Sequence, residues 1–527
     1  MQKRLTLNLS KIIFHKYSIY IFLFLFSFFF NFYYGYRGVL PLDSFLIFDS
    51  GYFVLNGEYP FRDYWTITGP LLDYLQSIFF YILDVKWISY VVHASLFNFL
   101  IVLFSYFFFI RIGLNLFFST LYSFGVAILA YPQIGTPFPD HHSFIFGVIS
   151  MYFMLSAIQR DKINDYFFVT LFLFLSFLSK QIIASYIGIF FTLIFLYNLI
   201  YIKKNNLKKT IYFLLGAFVP LLVFIVFLKS SGTNLINFVI QYILYPSTIG
   251  ESRIIEMNLD FNTLIGQFKF LYICLIPAIL IFFYNIILKK KKIIKKKEIL
   301  IFLTFIGSIL IFIYSQILTK NQIFIFSLIP MCLGFSHTYI QKYFNKKYLV
   351  YGIIFLFLFT TTKYHLRFNE NKKFMELAEV NISKSINGER IEKSLSGLRW
   401  ITHLYPDNPD NEVNLLAESL NIIKSDKNNK IIITDYLFFS ALTENAFSSP
   451  NKWHDIRSVP SQKNEFYEHY KDFFFSKIKK NKIERIYFVG HYKEIFLTNL
   501  VNDQKCIKRE EINEFLSSYE LKGCKVF

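Results

Sequence analysis

Carboxylates and turn residues crowd the segment 35–86, near the amino end of the chain. Its acidic residues are Asp43, Asp49, Glu58, Asp63, Asp73 and Asp84. A carboxylate can take a proton from a hydroxyl group, which is the task of a general base. The segment is much longer than an ordinary connector, and aromatic residues are interleaved with its polar ones. We therefore expect short helices that fold against the rest of the protein.

A second polar group stands just before an apolar run, where Asp140, His141, His142 and Ser143 follow one another. Three uses are open for these residues: capping of the following helix, hydrogen bonding to a substrate, and metal binding. Adjacent histidines do not share a helix face, so chelation by both would need loop geometry. Metal binding therefore ranks below the other two uses.

Lys180 and Gln181 interrupt a continuous apolar stretch. The run before them, Tyr166–Ser179, has 14 residues, or about 21 Å of helix, which is short for a membrane crossing. Lys180 is thus expected at or slightly below the membrane surface. There it either serves a function or extends its ammonium group to lipid headgroups, and the two alternatives stay open.

Composition indicates the elements that must hold these residues. Of 527 residues, 54% are hydrophobic and 21% aromatic, and the mean hydropathy is +0.41. Such a chain is typical of a polytopic α-helical membrane protein. About eleven spans are predicted, near residues 15–34, 88–110, 112–130, 143–158, 164–180, 182–201, 210–228, 263–288, 299–318, 323–341 and 348–362. The first is expected to be retained, since it lacks a small-residue cleavage site.

Lysine and arginine cluster in alternate connecting segments, above all between residues 289 and 297. By the positive-inside rule this predicts a cytoplasmic amino terminus and, for an odd number of spans, an outer carboxyl terminus, and we expect the chain in the inner (cytoplasmic) membrane of the cell. The lysines between residues 289 and 297 are then explained without a nucleic acid as partner. Anionic membrane lipids suffice.

The composition changes after Thr362. We predict a membrane domain over residues 1–362 and an extracytoplasmic α/β domain over residues 363–527. Its strands are expected at Lys430–Thr434 and Arg485–Val489, with helices around 412–423 and 466–478. Cys506 and Cys524 would form a disulfide in an oxidising compartment.

Segment 35–86 contains three short motifs, Phe48-Asp49-Ser50-Gly51-Tyr52, Asn56-Gly57-Glu58-Tyr59-Pro60-Phe61-Arg62-Asp63-Tyr64 and Gly69-Pro70-Leu71. Together they resemble the first outer loop of GT-C superfamily glycosyltransferases. The resemblance is to bacterial relatives of protein O-mannosyltransferases and to the lipid A aminoarabinose transferase. Asp140 and the overall layout fit the same pattern, whereas Ser50 stands where many relatives carry a second acid.

The resemblance implies transfer of a sugar from a polyprenyl-phosphate donor to a cell-envelope glycan or lipid acceptor at the outer membrane face. Asp49 would be the general base, and Asp140 would orient the acceptor or a metal. Lys180 would contact the donor phosphate, and Arg62 is the second candidate for that contact. The sequence does not require a divalent cation, and whether the protein uses one is left open. The remaining expected substrate contacts are Asp63, Gln181, His141 and His142.

Other functions fit parts of the same pattern. A transporter or flippase of a lipid-linked sugar would also use an intramembrane lysine, although no inverted symmetry between halves is visible. A polysaccharide polymerase or ligase more often carries its large polar loop late in the chain. The outer domain could also have a structural or receptor role, and the membrane region would then be much larger than a membrane anchor requires.

Overall fold

The computed structural model describes residues 2–202, 207–257, 259–287, 296–320, 322–344, 346–444, 449–455, 457–490 and 508–521. Helices dominate this part of the chain. In chain order they are α1 (Gln2–Gly35), α2 (Pro41–Ser44), α3 (Phe48–Leu55), α4 (Leu71–Leu83), α5 (Trp87–Ile112), α6 (Leu116–Leu129), α7 (Pro139–Arg160), α8 (Ile163–Ser179), α9 (Gln181–Tyr197), α10 (Leu207–Ser230), α11 (Leu235–Val239), α12 (Tyr245–Ile255), α13 (Lys269–Ile287), α14 (Lys296–Thr319), α15 (Leu328–Tyr343), α16 (Lys347–Tyr364), α17 (Pro409–Ser425), α18 (Phe439–Leu442) and α19 (Tyr467–Lys480).

A helix coincides with each of the eleven apolar runs that the sequence indicates as spans. Seven of the described helices are long and apolar enough to cross a membrane. The fold is therefore that expected of a membrane protein, while the number of crossings and their orientation stay predictions. The seven are Tyr17–Gly35, Trp87–Ile112, Pro139–Arg160, Gln181–Tyr201, Leu207–Ser230, Lys296–Thr319 and Lys347–Met375.

Helix α7 lies at the centre of the bundle. Its apolar stretch is wholly buried, because α5, α8, α9 and α14 all pack against it. This explains why α7 can carry serine, histidine and aspartate among its apolar residues. Polar groups in such a helix are shielded from lipid and can reach partners on neighbouring helices.

The carboxyl-terminal region contains two small sheets. The predicted strands at Lys430–Thr434 and Arg485–Val489 are confirmed, and the two pair in parallel. A parallel pair requires a crossover, which α18 and α19 provide. The strand order of the larger sheet is β3-β4-β6-β5. In chain order the strands are β1 (Ile386–Asn387), β2 (Arg399–Trp400), β3 (Lys430–Thr434), β4 (Arg485–Val489), β5 (Lys508–Glu511) and β6 (Leu516–Glu520).

Residues 36–86, which we call loop 1, pack against both the helix bundle and the carboxyl-terminal region. Trp65 is 1% exposed and lies against Tyr470 and Phe473 of α19, with ring centroids 5.1 and 5.9 Å away. Helix α4 packs on α5 and α8. The loop is therefore folded against its surroundings, as its length and aromatic content predict.

The boundary predicted at residue 362 falls inside α16, which continues to Tyr364, and the division into two domains stays a prediction. Cys506 and Cys524 lie outside the described residues. Cys274 and Cys332 are free and buried within helices, as expected for packing residues.

Candidate functional site

Asp140 lies in the first turn of α7 and forms an ion pair with Lys180. The distance from Oδ2 to Nζ is 2.6 Å, and 4% of the Asp140 side chain is exposed. Phe138 occupies the capping position of α7, without a side-chain cap, and Pro139 begins the helix. Asp140 therefore serves as the partner of a cation rather than as a helix cap.

The turn that carries Lys180 is held by two serine hydroxyl groups. Lys180 has an extended backbone between α8 and α9. The Ser143 hydroxyl donates to the Lys180 carbonyl oxygen at 2.9 Å, and the Ser176 hydroxyl donates to the Ser143 carbonyl oxygen at 2.7 Å. Because α7 contributes both Asp140 and Ser143, the ion pair and its supporting turn are fixed to the same helix end.

Gly69 brings loop 1 onto the same turn. Its amide donates to the Ser179 carbonyl oxygen at 3.2 Å. A Cβ atom at this position would lie 1.8 Å from the Leu178 carbonyl oxygen, so only glycine permits the approach. The Gly69-Pro70-Leu71 turn noted in the sequence thus packs directly against the backbone that positions Lys180.

The charges of both members of this ion pair act on Asp43 of helix α2. It is partly exposed, and none of the described residues forms a hydrogen bond or ion pair with its carboxylate. The pKa of Asp43 is raised to about 7, mainly by burial and then by the charge of Asp140, while Lys180 opposes both effects. Asp435, which follows strand β3, adds to the increase. A carboxylate with a pKa near neutrality suits acid–base chemistry.

Arg253 of helix α12 supplies a second cation near Asp140. Its Nε atom is buried and has no hydrogen-bond partner within the described ranges. Burial lowers the pKa of Arg253, the Asp140 carboxylate opposes this effect, and Arg457 reinforces it. A buried guanidinium donor without a partner is costly unless something else binds it. Asp43, Asp140, Lys180 and Arg253 together are called the Asp140 cluster below.

Asp49 has a different environment. Its carboxylate accepts hydrogen bonds from the backbone amides of Ser440 and Ala441, at 3.3 and 2.9 Å, at the start of the short helix α18. Its own amide donates to the Leu437 carbonyl oxygen at 3.0 Å. Burial raises the pKa of Asp49 to about 7, although these amides lower it. Asp49 joins loop 1 to the carboxyl-terminal region.

Asp63 and Arg62 also hold loop 1 in place. Arg62 Nε lies 2.6 Å from Asp63 Oδ2, while Lys477 and Lys480 of α19 approach Asp63 Oδ1 to 3.7 and 3.6 Å. Arg62 Nη1 donates to the Ser231 carbonyl oxygen at 2.6 Å. Neither residue contacts the Asp140–Lys180 pair.

Asp73 and Lys452 form a buried ion pair that sequence reasoning did not find. Oδ1 and Nζ are 2.5 Å apart, and the side chains are 0% and 1% exposed. Asp73 also accepts hydrogen bonds from Ser50 and from Tyr64, both at 2.9 Å. The sequence offers no signal for the pair, because its members are 379 positions apart. Asp49, Asp63 and Asp73 with their partners are called the loop–domain interface.

The other residues expected to bind substrate contact protein groups or aromatic rings. Gln181 Nε2 donates to the carbonyl oxygens of Ile67 and Tyr242, at 3.4 and 3.3 Å. His141 is fully buried, has no hydrogen-bond partner in the described part of the chain, and packs against aromatic rings. His142 bonds to His93 on helix α5. His141 and His142 thus differ in their hydrogen bonds, although both rings lie against Tyr131.

No group of three or more histidine, cysteine, aspartate or glutamate side chains among the described residues is arranged to hold a metal ion. The cluster instead combines two carboxylates with two cations. Of its members, sequence analysis selected Asp140 and Lys180, recognised Asp43 only as one acid among several in loop 1, and did not select Arg253. The signal available for Arg253 was its place as a lone arginine in a predicted outer segment.

No protein-family model matches the chain, and no curated protein sequence matches it. Among solved structures, the chain is similar to the archaeal oligosaccharyltransferase AglB from Archaeoglobus fulgidus, in complex with an inhibitory peptide and a dolichol-phosphate. The TM-score is 0.43 at 11% sequence identity, and the match covers 90% of this chain and 69% of that chain.

Proposed function

We propose that this protein is a membrane glycosyltransferase that moves a sugar from a polyprenyl-phosphate donor to a cell-envelope glycan or lipid acceptor at the outer membrane face. The observation that carries the proposal is the Asp140 cluster, in which Lys180 forms an ion pair with Asp140 and the charge of Asp140 acts on both Arg253 and the unpaired Asp43. Cations for a leaving phosphate and a carboxylate for a hydroxyl group are the two requirements of such a transfer.

The proposed reaction forms a bond between the acceptor oxygen and the anomeric carbon of the sugar. The acceptor proton passes to the Asp43 carboxylate. The bond between the anomeric carbon and the phosphate oxygen breaks, and its electron pair stays on the polyprenyl phosphate. Lys180 and Arg253 stabilise the charge that develops there. Asp140 holds the Lys180 ammonium group in place through their 2.6 Å contact.

Asp43 is preferred to Asp49 as the general base because of their hydrogen-bond partners. Two backbone amides occupy the Asp49 carboxylate, whereas that of Asp43 has no such partner among the described residues. Asp49 is also only 5% exposed, whereas Asp43 is partly exposed and therefore accessible to the hydroxyl group of an acceptor. The sequence-based assignment of Asp49 stays a prediction, and paired variants of the two residues test it.

The experiment uses the full chain in phosphatidylcholine vesicles with a panel of polyprenyl-phosphate hexoses and pentoses labelled in the sugar, and cell-envelope glycan and lipid extracts as acceptors. Appearance of label in a covalent glycan or lipid product is expected with the wild type and lost in Asp43→Asn. Movement of intact donor across the vesicle membrane without a product would replace the proposal with transport.

A further inference from the structure

Four buried side chains form a continuous hydrogen-bonded chain between loop 1 and the first turns of helix α7, where Asp140 lies. Gln76 of α4 contacts His93 of α5 at 2.9 Å, and His93 contacts His142 of α7 through their Nε2 atoms at 3.1 Å. His142 Nδ1 then contacts the Tyr131 hydroxyl group. All four side chains are 0% exposed. Loop 1, α5, α7 and the segment before α7 are thereby joined by one series of polar contacts.

The direction of the chain follows from which polar groups can be satisfied. With the Gln76 oxygen facing His93, the Tyr131 hydroxyl donates to His142 Nδ1, His142 Nε2 donates to His93 Nε2, and His93 Nδ1 donates to Gln76 Oε1. This leaves one buried group, Gln76 Nε2, without a partner.

The reverse direction requires His142 Nδ1 to donate, either to Tyr131 or to the Phe138 carbonyl oxygen 3.4 Å away. It leaves two groups without partners among the described residues, the Gln76 oxygen and the Tyr131 hydroxyl hydrogen. Since buried polar groups are paired wherever the fold allows, the first direction is preferred. His93 then carries its proton on Nδ1 and His142 carries its proton on Nε2.

The chain fixes the helix turn that contains Asp140. The Phe138 amide donates to the Tyr131 hydroxyl group at 3.4 Å, and the His142 amide donates to the Phe138 carbonyl oxygen at 3.1 Å. Asp140 lies between these anchored residues. Aromatic rings pack against both imidazoles. The ring centroids of Phe97 and His142 are 4.0 Å apart, and those of Phe79 and His93 are 4.7 Å apart.

We propose that the Gln76–His93–His142–Tyr131 chain positions Asp140 relative to loop 1, so that His93 and His142 are positioning residues for the transfer reaction. This inference rests on the proposed function. Asp140 stands on α7 and Asp43 on loop 1, and the chain is a direct polar connection between these two elements. A displacement of about 1 Å at a reacting group can lower the rate roughly a hundredfold.

Nitrogen-15 NMR of histidine-labelled wild-type protein tests the chain without any transferase assay. The expected spectrum contains one neutral histidine protonated on Nδ1, which disappears in His93→Phe, and one protonated on Nε2, which disappears in His142→Phe. If both residues carry their proton on Nε2, no hydrogen bond can join the two Nε2 atoms, and the inference fails whatever the protein catalyses.

Kinetics test the positioning role. His93→Phe keeps an aromatic ring but no hydrogen bond, and should lower kcat about 10- to 100-fold and also raise the donor KM, because a displaced Asp140 no longer holds the Lys180 ammonium group in place. His93→Gln, which can both donate and accept, should recover part of the loss. His337→Phe, which removes a buried hydrogen bond to Tyr122 at 3.0 Å elsewhere in the bundle, should leave kcat unchanged.

A double-mutant cycle decides whether His93 acts through Asp140. In an Asp140→Asn background, His93→Phe should have little further effect on kcat, since the group that it positions has already been changed. Losses that multiply would show that His93 acts independently of Asp140 and would overturn the inference. Size-exclusion profiles check that each variant is folded. If a variant does not fold, the histidine signals of the wild-type protein still test the inference.

Discussion

Loop 1 contains acidic residues of the same type in two contrasting environments. In the loop–domain interface, the carboxylates of Asp49 and Asp73 are paired with protein groups. Asp49 accepts two backbone hydrogen bonds, and Asp73 forms an ion pair with the buried Lys452. In the Asp140 cluster, the Asp43 carboxylate has no hydrogen-bond or ion-pair partner among the described residues, and the buried Nε atom of Arg253 has no hydrogen-bond partner there either. Satisfied groups stabilise a fold, whereas an unpaired polar group needs an explanation, and a ligand is the explanation that we propose for the Asp140 cluster.

The largest expected effect comes from Asp43→Asn, which removes the proposed base. Transfer should fall by roughly 10² to 10⁴ in kcat, with the donor still bound and the unfolding temperature unchanged. Asp84→Asn in the same loop is the matched control, because Asp84 is 74% exposed. Transfer at the wild-type rate by Asp43→Asn would show that Asp43 takes no part in the chemistry.

The same residue predicts a pH dependence. The base acts in its ionised form, and the pKa of Asp43 is raised to about 7 by burial. The ratio kcat/KM should therefore decline as the pH falls below about 7 and level off above it. A profile that stays flat between pH 5 and 8 would be inconsistent with this assignment.

Lys452→Met tests the opposite environment. The substitution leaves Asp73 buried without its cation, and breaking a buried ion pair in this way typically costs about 3–5 kcal/mol of stability. Burial lowers the pKa of Lys452, and the Asp73 carboxylate opposes this effect, so the two charges depend on each other. Lys384→Met, which removes an exposed pair with Asp407, should cost about 0–1 kcal/mol.

Chemical unfolding of both lysine variants measures the difference. The part of Lys452→Met that remains folded should transfer sugar normally, because Lys452 lies outside the Asp140 cluster. Equal stabilities for the two variants would mean that the buried pair contributes no more than a surface pair.

Lys180→Ala is expected to act on donor binding. Hydrogen bonds to charged groups contribute about 1.5–3 kcal/mol, so the donor KM should rise roughly 10- to 100-fold. Lys180→Arg should retain part of the affinity, and Lys86→Ala, which alters an exposed lysine of loop 1, should have no effect. An unchanged donor KM in Lys180→Ala would leave Arg253 as the phosphate contact.

Gly69→Ala should disturb the packing between loop 1 and the Lys180 turn. The added Cβ would lie 1.8 Å from the Leu178 carbonyl oxygen, and overpacking of this kind costs about 1–3 kcal/mol. Gly188→Ala is the control, since no atom lies within 4 Å of its Cβ position. Thermal unfolding compares the two variants. Equal unfolding temperatures would show that the loop can move aside freely.

The smallest effect is expected for Asp49→Ala. Removal of a helix cap costs about 0.5–2 kcal/mol, and only the contact with Ser440 and Ala441 is lost. Transfer should continue near the wild-type rate. Loss of transfer with the fold intact would restore Asp49 as the base and reverse the contrast drawn between the two environments.

Much of the architecture could be predicted from local sequence. The apolar runs had to become helices, because backbone groups in a hydrocarbon environment must be satisfied within their own segment. Strands β3 and β4 were equally clear from short apolar runs. Asp140 and Lys180 were selected for their places at helix ends, and the structure brings the two into contact.

The choice among the loop 1 carboxylates depended on tertiary structure alone. Asp43, Asp49 and Asp73 are equivalent in local sequence, since each stands in or near a short helix with apolar neighbours. Their differences come from partners that are hundreds of residues away, such as Ala441, which lies 392 positions from Asp49. Sequence determines which segments form helices through local hydrophobicity, whereas the availability of a carboxylate depends on which distant donors the folded chain brings to it.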